Sequence, residues 1–159
     1  MNRQLVKVLA VAVLGAGLAF ASAAASVAAA NPNCKYLKAS EVALAIGTKV
    51  KKGPSGPSGA QVCAFVPKHS QLPAAVNVWV QSDSAASIGF STAKTAFKAN
   101  IESTRSLGRK SFYVGGGLNT AYVLKGNTLV YVQYVNLGGD PAVIKTAVVK
   151  LTKLVLHRV

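Results

Sequence analysis

The chain has 159 residues, with 18 lysines and arginines against four aspartates and glutamates, so its formal net charge at pH 7 is +14. Residues 31–159 have the length of one domain with one modest core, which excludes a second domain of ordinary size. A field of this sign favours polyanions: nucleic acid, acidic polysaccharide or an anionic membrane surface. Solubility alone is the alternative explanation for the charge.

The first thirty residues have the pattern of a secretory signal peptide. Arg3 and Lys7 precede an uncharged apolar run at 8–21, and three alanines at 28–30 suit a signal peptidase. The run is shorter than the roughly 20 apolar residues that a membrane span needs. We therefore expect cleavage near Ala30 and a secreted, extracytoplasmic protein without a membrane span in its mature chain. The alternative is an uncleaved N-terminal anchor.

The two cysteines, Cys34 and Cys63, are predicted to form a disulfide, because the chain is bound for an oxidising compartment. The bond would close a loop of about 29 residues and stabilise the fold by about 3.5 kcal/mol. A free redox thiol would need a nearby base or a Cys-x-x-Cys spacing, and neither is visible. Asn31-Pro32-Asn33 before Cys34 is not the context of a lipid-acylated cysteine.

In the first half of the mature chain we predict one helix and two strands. The helix covers 39–47, with Ser40 as its N-cap and Gly47 at its end. Residues 49–59 are predicted as a surface loop, because repeated Gly-Pro-Ser at 53–59 holds neither helix nor strand. It is not a phosphate-binding loop, since its lysines precede its glycines. Strands follow at 61–66 and 75–81, the second with three alternating valines on one face.

Helical periodicity then predicts a helix over 84–102, with Phe90, Ala93, Phe97 and Ile101 on its buried face. A short strand follows at 111–114, and a hairpin of two strands over 119–135 turns at residues 125–127. The longer arm of this hairpin is apolar on both faces, which is typical of a central strand covered on both sides.

The C-terminal segment is predicted to be a helix that begins with Asp140 as N-cap and Pro141 in its first turn. Its buried stripe consists of Ile144, Val148, Leu151 and Val155. These elements predict an α+β fold, with an antiparallel sheet covered by helices on both faces.

Two groups of residues are candidate binding sites. The candidate anion-binding residues are Lys94, Lys98, Arg105, Arg109 and Lys110, the densest basic patch of the sequence. A solvated connector is the alternative reading of that patch. The candidate ligand pocket consists of Trp79, Tyr113, Tyr122, Tyr131 and Tyr134, which serve equally well as plain core.

Catalytic residues are not apparent in the sequence. The four acids are spread over four segments and form no evident pair for general acid–base chemistry. The two histidines are far apart, so no metal cluster is expected, and no nucleophile motif is present. We expect a protein that is not an enzyme and that needs no cofactor or metal. The alternative is a hydrolase without a recognisable motif.

The order of the motifs resembles a family of small actinobacterial secreted proteins and lipoproteins of unknown function. The matching residues are Cys34, Leu37, Glu41-Val42 and Gly47, then Cys63-Ala64-Phe65, then Val114 and Gly117 to Tyr122. The resemblance implies a PsbP-like α/β/α sandwich and transfers no activity. This chain has Asn119-Thr120 where members often carry Gly-Asp, and it lacks the acylation context of the lipoproteins.

The expected function is that of an exported, basic, non-enzymatic accessory protein of the cell envelope. Its expected partner is an anionic envelope polymer, a lipid surface or a surface protein, rather than nucleic acid, and a monomer is expected. The alternative is a carrier that holds a small apolar or amphipathic ligand between sheet and helix.

Overall fold

The structure is a computed structural model that describes residues 31–53, 61–69 and 73–159. The predicted signal peptide at 1–30 lies outside the described residues. So does the predicted Gly/Pro/Ser loop, except for Gly53, whose N–H donates to the carbonyl oxygen of Ala64 at 2.9 Å.

Within these residues the chain forms one antiparallel sheet of seven strands, in the order β1-β2-β3-β7-β6-β5-β4. The strands are β1 (Val50–Lys52), β2 (Cys63–Pro67), β3 (Ala74–Ser82), β4 (Ile101–Glu102), β5 (Ser111–Val114), β6 (Thr120–Lys125) and β7 (Thr128–Asn136). The edges are β1 and β4, so the two short edge strands flank longer central ones.

Three α-helices cover the sheet: α1 (Ala39–Ile46), α2 (Ala86–Ala96) and α3 (Pro141–Leu156). Helices α1 and α3 pack together on one face, over a core that includes Val76, Val78, Val130 and Val132. Helix α2 packs on the other face, over Phe112, Val114 and Leu129. The predicted α+β fold with an antiparallel sheet is therefore confirmed. No helix in the described ranges has both the length and the hydropathy required to cross a membrane.

The two central strands, β3 and β7, pair along nine residues each, from Ala74 opposite Asn136 to Ser82 opposite Thr128. Alternation along them is as predicted: the even-numbered valines of β3 face α3, while Trp79 contributes to the cluster under α2. Both faces of β7 are covered because helices lie on both sides of it. The apolar character of this strand on both faces follows from that position.

The turn between β6 and β7 consists of Gly126 and Asn127, because Lys125 pairs with Thr128. Gly126 has a φ of 58°, in the left-handed region that glycine enters without steric cost.

Hydrogen bonds mark the starts of α1 and α3, and the N-cap predicted for α1 is wrong. Asp140 caps α3, with its Oδ1 accepting from the N–H of Ala142 at 2.7 Å, as predicted. The N-cap residue of α1 is Lys38 rather than Ser40. The Glu41 side chain accepts a hydrogen bond from the Lys38 N–H at 2.8 Å. This carboxylate satisfies a backbone donor ahead of the first turn.

Two predicted boundaries are also wrong. The helix predicted over 84–102 ends at Ala96, and a 3₁₀ turn at Lys98–Asn100 leads into the edge strand β4. Ile101 still packs in the cluster under α2, so the apolar stripe marked the correct face but not the correct element. The predicted loop at 49–59 contains strand β1 at its start, since Val50 to Lys52 pair with β2.

The predicted disulfide is present. Cys34 and Cys63 are bonded, with Cα atoms 5.0 Å apart across 29 positions of sequence. The bond links β2 to the 3₁₀ turn Pro32–Lys35, whose Asn33 is buried and accepts from the Val80 N–H at 3.0 Å. The segment before α1 is thus held to the sheet by one covalent bond and by side-chain hydrogen bonds.

Candidate anion-binding pocket

The segment between the edge strand β4 and strand β5 carries the arginines that the sequence singled out. It forms a 3₁₀ turn at Arg105–Leu107 and then reaches Ser111 through Gly108, whose φ is 108°. Leu107 is buried in the core shared with α3, so its side chain anchors the turn. Arg105, Arg109 and Lys110 remain exposed on the outside of it.

Hydrogen bonds fix this segment from within. The Ser111 hydroxyl contacts the carbonyl oxygens of Gly108 and Thr104, at 2.6 and 3.0 Å, and the buried Thr104 hydroxyl lies 3.2 Å from it. The N–H groups of Leu107 and Gly108 donate to the carbonyl oxygens of Thr104 and Arg105. The loop therefore holds its exposed cations on an ordered backbone.

A shallow pocket of about 420 Å³ lies on this loop. Its lining consists of two guanidinium-bearing residues, two serines and a glycine: Ser103, Arg105, Gly108, Arg109 and Ser111. Arginine offers a planar fork of donors that matches carboxylate and phosphate oxygens, whereas lysine provides a point charge. Residues 31–159 contain three arginines, and two of them line this pocket.

No carboxylate of the described residues pairs with the cations of the pocket. The four acidic side chains of the chain all have partners elsewhere. Two form ion pairs, Glu41 with Arg158 and Glu102 with Lys145. The other two accept hydrogen bonds: Asp83 from the Gln81 side chain and the Ala85 N–H, and Asp140 as the cap of α3. The positive charge of the pocket is consequently not neutralised within the molecule. An external anion can meet it without first breaking an ion pair.

Lys125 is a cation at the end of β6, where the backbone runs beside Lys110. The N–H of the preceding residue, Leu124, donates to the carbonyl oxygen of Lys110 at 2.9 Å, so the two lysines come from paired strand ends. The Lys125 ammonium is engaged beyond the end of α3 rather than at the pocket: it donates to main-chain oxygens of Leu156 and Val159, at 3.0 and 2.9 Å. The sequence pattern assigned Lys125 to a hairpin turn, and only the β5–β6 pairing reveals this neighbour.

The two other candidate anion-binding residues belong to the α2 layer of the molecule. Lys94 lies in the last turn of α2, and Lys98 opens the 3₁₀ turn that follows Phe97. Phe97 packs in the cluster under α2, whereas Leu107 packs in the α3 core. The structure therefore brings Arg105 and Arg109 together at the pocket, with Lys110 next to Arg109 in sequence but not in the lining. Lys94 and Lys98 belong to the α2 layer.

The five aromatic residues of the candidate ligand pocket are divided between the two faces of the sheet. Trp79, Tyr122 and Tyr131 lie on the α2 face. The Tyr122 ring stacks on Phe112 at 4.8 Å and meets Tyr131 edge-on at 5.3 Å. Burial raises the pKa of Tyr131 to about 12, with the neighbouring Tyr122 adding to the effect. The Trp79, Tyr122 and Tyr131 side chains are partly buried and pack against the core under α2.

Tyr113 and Tyr134 lie on the other face, in the core shared with α1 and α3. The Tyr113 hydroxyl donates to Asn119 Oδ1 at 3.0 Å, and the Tyr134 oxygen accepts from Asn136 Nδ2 at 3.1 Å. Trp79 additionally borders a groove of about 660 Å³ beside Gln81 and Asp83. The five residues line no common cavity among those of the described residues.

Comparison with known proteins gives no relationship for this chain: no family model, curated protein or solved structure matches it. Among the described residues, no three histidine, cysteine, aspartate or glutamate side chains come together as metal ligands.

Proposed function

We propose that this protein is an exported, non-enzymatic accessory protein of the cell envelope that binds an anionic polymer through the loop at residues 105–110. The observation that carries the proposal is the pocket of Arg105 and Arg109, held on an ordered loop and free of internal carboxylates. Such a pocket suits a phosphate or carboxylate group of the polymer, which the guanidinium forks contact in pairs.

A polymer fits this surface better than a single anion does. The pocket is shallow, and the exposed Lys110 directly follows Arg109 of its lining. Once Arg3 and Lys7 are removed, 16 basic residues face four acids, so the mature chain has a formal charge of +12. That field attracts a polyanion over a distance of about the 8 Å Debye length at physiological salt, and the pocket then holds one of its groups.

Export is supported by the signal-peptide pattern of residues 1–30 and by the disulfide, since disulfides persist in oxidising compartments. We further propose that the sandwich is of the PsbP type that the resemblance implies. Helices on both faces of an antiparallel sheet support this assignment. An exported protein of this kind would present the proposed anion pocket outside the cytoplasm.

The test is binding of mature protein to long-chain polyphosphate and to poly-L-glutamate at low salt, measured by fluorescence anisotropy. The triple variant Arg105→Gln, Arg109→Gln, Lys110→Gln is expected to lose about tenfold or more in affinity, because charge-assisted hydrogen bonds contribute about 1.5–3 kcal/mol. Wild-type binding should fall as salt rises to about half-molar, where screening shortens to a few ångströms.

The matched control removes three positive charges from the opposite edge of the sheet: Lys49→Gln, Lys51→Gln, Lys52→Gln. Lys51 and Lys52 are exposed on the edge strand β1, where lysines prevent edge-to-edge association of sheets. The control should retain most of the affinity. Equal losses in both triple variants would show that net charge alone attracts the polymer, and absence of binding at low salt would refute the function.

A further inference from the structure

A second cavity, of about 540 Å³, lies at the other end of β5 from the arginine pocket. Three segments that are distant in sequence form it: Glu102 on β4, residues 113–119 with the triple glycine, and residues 136–145 from the end of β7 into α3. We call it the triglycine cleft. Its volume lies within the range of about 300–1,000 Å³ that is usual for small-molecule sites.

The inner part of the triglycine cleft is polar. The Tyr113 hydroxyl donates to Asn119 Oδ1 at 3.0 Å, and both residues are buried. Asn119 adopts a φ of 44°, which asparagine tolerates better than most residues. The Asn119 Nδ2 donates no hydrogen bond within the described residues. Every fully buried side-chain nitrogen and oxygen of these residues has a hydrogen-bond partner. The Asn119 Nδ2 is therefore not fully buried and can donate to a ligand.

An ion pair lies at the mouth of the cleft. The Lys145 ammonium contacts the Glu102 carboxylate, with the two side chains 35% and 49% exposed. The same ammonium lies 5.3 Å from the centre of the Tyr113 ring. Burial, and then the Glu102 charge, raise the pKa of Tyr113 to about 12, so the phenol stays a neutral donor. The cleft thus presents one positive and one negative group side by side.

Apolar residues form the remaining wall and rim. Pro141, Ala142 and Ile144 of α3 line the cavity together with Leu137. Leu137 is 71% exposed, and Val143, between the lining residues of α3, is 65% exposed. Large hydrophobic side chains are therefore left in water next to a polar cavity, an arrangement typical of a surface that meets a ligand.

We propose that the triglycine cleft binds an α-amino acid with an apolar side chain. Glu102 receives the ammonium group, while Lys145 and the Asn119 amide receive the carboxylate. The apolar side chain then lies on Leu137 and Pro141. A zwitterion satisfies both members of the ion pair at once, whereas a simple anion or cation would take one member and leave the other without its partner.

The proposal is tested by titrating ¹⁵N-labelled mature protein with L-leucine and following the amide signals of Gly115, Gly116 and Gly117. Three matched ligands each remove one group of leucine and so measure what that group contributes to affinity. N-acetyl-leucine lacks the ammonium, leucine amide lacks the carboxylate, and glycine lacks the apolar side chain. Each should bind about tenfold or more weakly than leucine. Glu102→Gln and Lys145→Gln should each weaken leucine binding by a similar factor.

Glu41→Gln is the control variant, because it breaks the other carboxylate–cation pair of the fold and lies outside the cleft. It should leave leucine binding unchanged. Equal affinity for leucine, N-acetyl-leucine and leucine amide would overturn the proposal, and so would the absence of any shift at millimolar leucine. Polyphosphate binding does not depend on this result, so the two proposals fail or succeed separately.

Discussion

The guanidinium of Arg158 donates to the carboxylate of Glu41, with 2.9 Å between Nη1 and Oε2, across 117 positions of sequence. The same Nη1 donates to the carbonyl oxygen of Tyr36 at 2.7 Å. Because Glu41 also accepts from the Lys38 N–H, its carboxylate joins the start of α1 to the residues that follow α3. The two helices of one face are thereby connected at their ends as well as through their apolar sides.

The Glu41 pair predicts an acid-dependent loss of stability. The hydrogen bond from Arg158 holds the Glu41 pKa at about 2, below its ordinary value of 4.5. A carboxyl group with a lowered folded-state pKa stabilises the fold above its ordinary pKa, and this stabilisation disappears as the pH falls towards 2. Since the pair is partly exposed, we expect it to contribute up to about 1 kcal/mol, measured by urea unfolding between pH 7 and pH 2.5.

Arg158→Gln identifies the source of this dependence. The variant should be less stable than wild type by up to about 1 kcal/mol at pH 7, and the difference should shrink as pH approaches 2.5. Arg109→Gln, which removes an arginine without an internal ion pair, is the control and should show no such convergence. A constant difference for Arg158→Gln at all pH values would contradict the assignment to Glu41.

Reduction of the Cys34–Cys63 disulfide is predicted to destabilise the protein by about 3.5 kcal/mol, because the unfolded chain regains the freedom of a loop of about 29 residues. Urea unfolding with and without dithiothreitol measures this difference. The double variant Cys34→Ser, Cys63→Ser should show the same loss and no response to the reductant. An unchanged midpoint after complete reduction would refute the prediction.

Patterns that are local in sequence predicted the fold well. Alternating valines placed β3 correctly, and Asp140 followed by Pro141 marked the start of α3, because a cap and a strand face depend on near neighbours. The end of α2 could not be read in this way. Ile101 and Glu102 leave the helical pattern in order to pair with Val114 and Tyr113 on β5, and that pairing is not visible from the residues around them.

The candidate sites show the same contrast between local sequence patterns, which could be predicted, and contacts between distant segments, which could not. Arg105, Arg109 and Lys110 are near neighbours in sequence and do share a loop, while Lys94 and Lys98 were grouped with them by sequence proximity and belong to another layer. The triglycine cleft is formed by three separate segments, so no local sequence pattern predicts it. Its Glu102, the last residue of the helix predicted over 84–102, lies instead on the edge strand β4 and there contacts Lys145.

Leu151→Ala is predicted to cost about 2–5 kcal/mol of unfolding free energy, because the side chain is fully buried between α3 and the sheet and leaves a cavity. Leu44→Ala is the matched control. Leu44 is 75% exposed on α1, so its truncation should change stability by about 0.5 kcal/mol or less. Urea unfolding of both variants at pH 7 measures the contrast, and similar losses would contradict the placement of α3.

Gly139→Ala is predicted to destabilise the protein through crowding at the wall of the triglycine cleft. An added Cβ would lie 2.6 Å from Asn136 Nδ2 and 2.9 Å from Ile144 Cδ1. Such overpacking costs about 1–3 kcal/mol. Ile144→Val removes the Cδ1 atom, so the double variant should be less destabilised than the sum of the two single changes, as a double-mutant cycle of urea unfolding measures. Strict additivity would show that Asn136 alone, or the backbone, opposes the new methyl group.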